Sequence, residues 1–188
     1  MDFKEKYSDF FEENDNDFYD EERFVPAVGP RDAEVMMVGE APGENEVEEQ
    51  EPFVGRAGQK LDDVLHKIDV DRSEIYITNL VKVRPPENRD PKRKEIDYWR
   101  PLLDREIEDV DPDIVLTLGN FASKELLGKK EGITGIHGRI FTRNGRKIMP
   151  VYHPAATLYD RSKTPELEKD LRKAFGKEET GQTSLKDL

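Results

Sequence analysis

The sequence predicts an α/β fold whose sheet is mostly parallel and carries helices on both faces. Apolar runs at residues 35–39, 75–81 and 113–118 are flanked by turn-forming residues, which is typical of buried strands. Segments with apolar residues at helical spacing lie between these runs. Strands that alternate with helices favour parallel pairing, so the carboxyl ends of the strands should meet at one ligand-binding crevice.

The chain before and between these strands is predicted to form helices and loops. Residues 1–23 are an acidic lead with one short helix at 7–13. Residues 41–52, rich in proline, glycine and glutamate, and residues 84–91, with three prolines, should be loops. Helices are predicted at residues 57–68, 92–109, 121–127 and 164–175.

The C-terminal third carries two clear local signals. Asn144-Gly145 predicts a hairpin between strands at 139–143 and 147–152. Thr164 should cap the last helix, with Pro165 at its first helical position. The hairpin strand at 147–152 therefore ends just before a His-Pro sequence.

The length of 188 residues suits one domain, which we place at 24–175, followed by a flexible tail at 176–188. Charged residues make up 38% of the chain, so the core must come from a few apolar runs. No apolar run reaches membrane-spanning length, and the N-terminus lacks a secretory pattern. We expect a cytoplasmic protein without membrane contact.

Charge and cysteine content limit the possible chemistry. A formal net charge of -12 repels nucleic acid on average, and it also fits a saline cytoplasm, but the basic segments 82–94 and 139–147 could bind phosphate locally. The chain has no cysteine, which excludes disulfides, thiolate nucleophiles and thiolate metal sites. With only three histidines, a histidine-rich zinc site is not expected.

Polar and aromatic residues follow several of the predicted strands. The turn 39–43 allows close backbone approach to a ligand, and Phe53 could stack on a planar base. The Asn79 amide offers a donor and an acceptor, which match N3–H and O4 of uracil. His153 could donate a hydrogen bond to a leaving anion. Each residue alone also fits a purely structural role: a loop anchor for Phe53, a strand cap for Asn79, a backbone-bonded histidine for His153.

Two carboxylates are candidates for handling a water molecule. Glu40 and Glu46 lie nearest the predicted crevice, and either could position or deprotonate water. His66 is expected on a helix surface and His137 in a loop, so neither is a candidate for catalysis.

Taken together, the segments resemble family 4 uracil-DNA glycosylases over roughly residues 24–175. Each segment is a weak signal by itself, whereas the ordered set is specific. The matching segments are Val38-Gly39-Glu40-Ala41-Pro42-Gly43, Pro52-Phe53-Val54-Gly55-Arg56-Ala57-Gly58, residues 76–89 and His153-Pro154-Ala155.

The resemblance implies a fold and a reaction. The fold would be a three-layer α/β/α sandwich with a parallel four-stranded sheet. The reaction would be hydrolysis of the N-glycosidic bond of a uracil flipped out of DNA. Phe53 would stack on the base, Asn79 would read its edge, and His153 would stabilise the departing anion.

The resemblance also implies roles around the pocket. Glu40 and Glu46 align with positions that handle the attacking water, and the backbone at Ala41 and Gly43 would contact the base. Leu158 aligns with a loop that wedges into the DNA. For phosphate contacts we add our own candidates, which are Arg84, Arg89, Arg139 and Arg143.

The chain departs from the family at the positions of its four cysteines. The family usually holds a four-iron–four-sulfur cluster on four cysteines, and our alignment puts Glu12, Asp15, Val83 and Trp99 at those positions. Such residues cannot hold the cluster, so no cofactor and no metal are expected. We hypothesise that Val83 and Trp99 replace it with apolar packing that orders loop 84–91.

Smaller departures leave other readings open. Glu46-Val47 and Gln50 differ from the family pattern in the loop after Gly43, and Tyr159 stands where the family often has arginine. The leading hypothesis is a monomeric, metal-independent uracil-DNA glycosylase. A non-catalytic module that binds damaged bases, or a glycosylase for another deaminated base such as hypoxanthine, are the alternatives.

Overall fold

A five-stranded sheet lies at the centre of the computed structural model, which describes residues 3–14, 16–128 and 130–178. Its spatial order is β2-β1-β3-β5-β4. The first four strands of this order are parallel, and β4 pairs antiparallel at the edge. The strands are β1 (Val35–Gly39), β2 (Ile75–Asn79), β3 (Ile114–Leu118), β4 (Phe141–Arg143) and β5 (Arg146–Val151).

The prediction of a mostly parallel sheet with helices on both faces is confirmed, with one strand more than the four expected. The extra strand is β4, which the Asn144-Gly145 hairpin folds back onto β5. The described helices are α1 (Phe3–Lys6), α2 (Ser8–Glu13), α3 (Glu44–Glu49), α4 (Arg56–Lys67), α5 (Arg93–Val110), α6 (Gly119–Leu127), α7 (Ile133–Ile136), α8 (Ala156–Tyr159) and α9 (Lys163–Ala174).

Alternating residues of the buried strands divide the core into two layers. In β1, Met37 faces a layer formed with α4 and α9, whereas Met36 and Val38 face a layer formed with α5, α6 and α7. Both layers are buried and apolar, which gives the α/β/α arrangement. A third group, which we call the aromatic cluster, packs around Trp99 beneath the N-terminal helices. Its buried members are Tyr7, Phe10, Phe24, Val81, Ile96, Trp99 and Leu102.

Several predicted elements need correction. The predicted loop at 41–52 contains α3, because the Glu46 side chain accepts a hydrogen bond from the Gly43 N–H and so caps a short helix among glutamates. The last helix begins at Lys163 with Ser162 as its N-terminal flank, so Thr164 is not its cap. Strand β2 ends at Asn79 rather than at residue 81.

Other segments agree with the sequence or lie partly outside the description. Gly128 ends α6 in the left-handed conformation, as expected for a glycine after a helix. Of the predicted tail at 176–188, residues 179–188 lie outside the described part of the chain. Within the described ranges, no helix combines the length and apolar character needed to cross a membrane.

Candidate active site

The carboxyl ends of β1 and β2 bring the first site residues together. Gly39 is the register partner of Asn79. A Cβ atom built on Gly39 would lie 2.3 Å from Asn79 Oδ1 and 2.7 Å from two ring carbons of Phe53. Only glycine therefore fits between the amide and the ring, and the two groups share one side of the crevice.

Phe53 occupies an unusual backbone conformation for a bulky residue. Its φ is 59°, and its ring is 6% exposed within the core layer under α4. A Cβ on Gly58 would lie 1.7 Å from the Phe53 carbonyl oxygen, so the start of α4 presses directly on this turn. Strained conformations of this kind cost roughly 1–3 kcal/mol and persist where the surrounding packing fixes them, often at functional sites. Phe53 is thus both an anchor of its loop and a wall of the crevice.

The Asn79 amide has an unsatisfied acceptor. The side chain is 4% exposed, and its Oδ1 is buried without a hydrogen-bond partner among the described residues. Leaving a buried acceptor unpaired costs about 1–3 kcal/mol. A ligand that donates a hydrogen bond in the crevice would remove this cost.

His153 lies opposite, just beyond the end of β5. Its ring centroid is 5.6 Å from that of Phe53, at an interplanar angle of 35°. The Nδ1 atom accepts a hydrogen bond of 3.1 Å from the Ala155 N–H, so a neutral ring carries its proton on Nε2. Burial lowers the pKa of His153 to about 4, against an opposing effect of Glu46. At neutral pH the imidazole is therefore an uncharged donor.

A second glycine makes room for His153. Gly119, at the start of α6, has a φ of +87°, and a Cβ there would lie 3.0 Å from the His153 Cβ. The end of β3 thus brings backbone, rather than a side chain, up to the histidine. Glycines at the ends of two neighbouring strands shape the crevice in the same manner.

The two candidate carboxylates have different surroundings. Glu46 accepts hydrogen bonds from the N–H groups of Gly43 (3.1 Å), Val54 (3.1 Å) and Gly55 (2.9 Å). It thereby joins the two glycine-containing loops, and the Gly43 N–H is already used. The Glu40 carboxylate has no hydrogen-bond partner among the described residues, and burial, with a smaller contribution from Asp90, raises its pKa. Glu40 is the carboxylate that is free to meet a water molecule.

The predicted phosphate-binding arginines have different surroundings. Arg84 contacts Glu44 at 3.6 Å, and Arg89 makes two hydrogen bonds to Glu95, of 2.7 and 2.8 Å. The Arg139 guanidinium lies 5.3 Å from the Phe141 ring centroid. Arg143 is the register partner of the first residue of β5, so it lies at the amino-terminal end of that strand, away from the crevice. Of the four cations, Arg84 and Arg89 already pair with carboxylates, and Arg143 lies away from the strand ends that form the crevice.

Sequence reasoning missed a group of residues beside Leu158. Leu158, Arg56 and Arg161 line one groove, and neither arginine has an acidic partner within 4.0 Å in the described part of the chain. Tyr159, noted above only as a departure, is 91% exposed. Their places next to two of the recognised segments are the signal that could have identified them.

The other two histidines and Lys82 lie outside the crevice. His66 is exposed on α4, as predicted, and His137 follows α7, where its Nδ1 lies 2.7 Å from Asp170 Oδ2. Lys82, counted above in a basic segment, is 1% exposed and pairs with Glu106. It cannot contact phosphate from that position.

Among the described residues, the positions aligned with the family's cysteines do not form a metal site. Trp99 is 1% exposed at the centre of the aromatic cluster, and Val83 packs against it. Glu12 is exposed on α2, and Asp15 lies outside the described residues. The buried members of the aromatic cluster are Tyr7, Phe10, Phe24, Val81, Ile96, Trp99 and Leu102. Apolar and aromatic groups cannot ligate iron, so this region does not fit an iron–sulfur cluster.

Comparisons with known proteins agree on one family. A profile described as "Uracil DNA glycosylase superfamily" matches residues 26–176. The Type-4 uracil-DNA glycosylase of Saccharolobus solfataricus is 46% identical over 79% of this chain and 73% of its own length. The enzymes of the same name from Sulfurisphaera tokodaii and Archaeoglobus fulgidus are 42% and 39% identical, over 79% and 80% of this chain and 72% and 79% of their own lengths.

Proposed function

We propose that the crevice at the strand ends of this chain, which belongs to the uracil DNA glycosylase superfamily, holds a uracil flipped out of DNA during hydrolysis of its N-glycosidic bond. The protein is a DNA-repair glycosylase that hydrolyses the N-glycosidic bond of uracil. Which residues perform each step is our proposal.

The observation that carries the proposal is the buried, unpartnered Oδ1 of Asn79. Uracil N3–H would donate to this oxygen, and the amide Nδ2 would donate to O4. Cytosine presents an acceptor and an amine at these places, so an amide held in one orientation would reject it. Phe53 lies beside the amide, at the distance that only Gly39 allows, and would stack on the base.

Bond cleavage would use His153 and Glu40. As the bond between C1′ and N1 breaks, its electron pair goes to the base, and the uracil anion would accept a hydrogen bond from the neutral Nε2–H of His153. Glu40 would receive a proton from the water that attacks C1′. The Glu46 carboxylate would hold the two loops in place, because its oxygens are already bonded to three backbone N–H groups.

Contact with the flanking DNA would centre on Leu158. This residue would wedge into the gap left by the flipped nucleotide, and the exposed Tyr159 ring would stack on a neighbouring base. The unpaired guanidinium groups of Arg56 and Arg161 would neutralise phosphates on both sides.

The other arginines would contribute unequally. Arg84 and Arg89 would have to exchange carboxylate partners for phosphate, whereas Arg139 has no carboxylate partner among the described residues. Arg143 has no support from its location.

We also propose that the enzyme works without an iron–sulfur cluster and as a cytoplasmic monomer. The residues of the aromatic cluster support the first point. Among the described residues, only Ile140 and Tyr159 are large exposed apolar side chains, which leaves little apolar surface for a stable dimer.

The test is excision from a labelled duplex oligonucleotide that contains one uracil, with abasic sites revealed by alkaline cleavage. We expect single-turnover cleavage by the wild type and a loss of roughly 100-fold or more in Asn79→Ala, because a site built on hydrogen bonds loses strongly when one partner is removed. A Gln59→Ala control removes an exposed amide on α4 that has no side-chain hydrogen bond among the described residues, and it should keep nearly full activity. Full activity of Asn79→Ala would overturn the proposed role.

The same assay separates the alternative functions. A wild-type protein that binds the oligonucleotide and yields no abasic product would be a binding module. Faster release of hypoxanthine than of uracil would indicate another base preference.

A further inference from the structure

A fully buried ion pair lies directly behind the base-reading asparagine. Lys82 and Glu106 are 1% and 0% exposed, and Lys82 Nζ is 2.6 Å from Glu106 Oε2. Lys82 comes three residues after Asn79, whereas Glu106 projects from α5. The pair thus joins the end of β2 to the helix that covers it.

The pair is bonded to the backbone that carries Asn79. Lys82 Nζ donates to the Asn79 carbonyl oxygen at 2.9 Å and also to Thr78 Oγ1. Thr78 Oγ1 in turn donates to Glu106 Oε2 at 3.1 Å. All three ammonium hydrogens therefore have acceptors, and the last two residues of β2 are fixed from the side opposite to the crevice.

Stability alone does not explain this arrangement. Burial of a charged pair costs several kcal/mol per ion, and such pairs are often no better than apolar residues of equal volume. Glu106 Oε1 is moreover buried with no hydrogen-bond partner in the described part of the chain. Burial shifts the pKa of Lys82 downward and that of Glu106 upward, each against the opposing effect of its partner. A costly polar group at this place calls for a role in geometry.

We infer that the Lys82–Glu106 pair is a positioning device for Asn79: it fixes the backbone at Thr78 and Asn79 so that the amide presents its oxygen to N3–H of uracil. Lys82 and Glu106 are positioning residues and do not touch the base. The inference rests on the proposed role of Asn79 in reading uracil. It adds that discrimination depends on a contact made outside the crevice.

The first test replaces the pair by apolar residues of similar volume, Lys82→Met with Glu106→Leu. Such a replacement is expected to keep or raise resistance to urea, because both charges are removed together. We expect single-turnover excision of uracil to fall about 10- to 100-fold with little change in KM for the oligonucleotide, since DNA contacts elsewhere are retained. A matched control, Arg100→Met with Asp104→Leu, removes a more exposed pair on the same helix. It should change neither the excision rate nor KM.

Thr78→Val supplies a second, milder variant. It removes the hydroxyl that bridges the pair and leaves both charges in place. We expect a several-fold fall in single-turnover rate with the fold intact. Wild-type rates in both this variant and the folded double variant would overturn the inference.

A double-mutant cycle separates this inference from the proposed function. If the pair acts through Asn79, adding Asn79→Ala to the double variant should cost much less than Asn79→Ala costs in the wild type. Equal costs in both backgrounds would refute the positioning role alone. No cost of Asn79→Ala in the wild type would refute the proposed role of Asn79 itself.

Discussion

The crevice and the aromatic cluster differ in the balance of unfavourable and favourable interactions that their residues make. In the crevice, Asn79 Oδ1 has no partner among the described residues, Phe53 has a strained backbone, and burial shifts the pKa values of Glu40 and His153. In the aromatic cluster, the Trp99 ring lies 6.0 Å from both Phe10 and Phe24, and all three are buried. One region carries unfavourable groups that a substrate can use, and the other is held together by aromatic packing.

The two regions are also in contact. Ala41, in the loop after β1, packs against the aromatic cluster, and so does Val83, in the segment after β2. Phe24 bridges to Val83, and the Arg84 N–H donates to the Arg23 carbonyl at 3.2 Å. The aromatic cluster therefore supports the loops of the crevice from behind, where the family usually has a metal cluster.

The largest expected effect belongs to Trp99→Ala. Removing a fully buried tryptophan should lower the free energy of unfolding by about 3–5 kcal/mol, measured by urea denaturation. The folded fraction should still excise uracil, because no catalytic group is removed. Unchanged stability would show that the aromatic cluster does not replace the metal cluster as a support.

Gly39→Ala tests the crevice by overpacking. A Cβ atom 2.3 Å from Asn79 Oδ1 must displace the amide or the Phe53 ring, so we expect about 1–3 kcal/mol of destabilisation together with loss of excision. The control is Gly135→Ala in α7, where an added Cβ meets nothing within 4 Å. An active Gly39→Ala variant would mean that the crevice tolerates a different arrangement of its walls.

His153 should make stability depend on pH. Its pKa of about 4 in the folded protein lies below the ordinary 6.5, so the unfolded chain takes up the proton first as the pH falls. The contribution of His153 to the free energy of unfolding is therefore complete above pH 6.5 and is lost progressively towards pH 4. Compared by urea denaturation, His153→Gln should lose less stability over this range than the wild type, while the exposed His66→Gln should follow the wild type. Parallel curves for all three would contradict the buried, neutral state.

The sequence predicts some of these features and not others, for physical reasons. Buried strands and strand-end positions are local patterns, so the parallel sheet and the placement of Asn79 and His153 beside its edge could be predicted. The Glu46 carboxylate accepts a hydrogen bond from the N–H of Gly55, nine residues further along the chain, and the burial of Lys82 depends on Glu106, 24 residues away. Neither pairing leaves a periodic signal.

Local propensity was misleading where glycine and proline flank a short element. Helix α3 consists mainly of glutamates between Gly43 and Pro52, so its surroundings indicated a loop. The hairpin signal predicted a strand at 139–143, whereas the count of four strands came from the family resemblance; in the structure, β4 is three residues long and largely exposed. In both cases a contact made in the folded protein decides the outcome.

The smallest expected effect concerns metal. If the aromatic cluster replaces the iron–sulfur support, treatment with an oxidant and an iron chelator should leave both the melting temperature and the excision rate unchanged, because no bound metal contributes to folding. Glu12→Ala should likewise change the free energy of unfolding by no more than about 0.5 kcal/mol, as for other exposed surface positions. Iron bound in stoichiometric amount to the purified protein would contradict this. Loss of stability on chelation would move the support of the crevice from the aromatic side chains back to a metal.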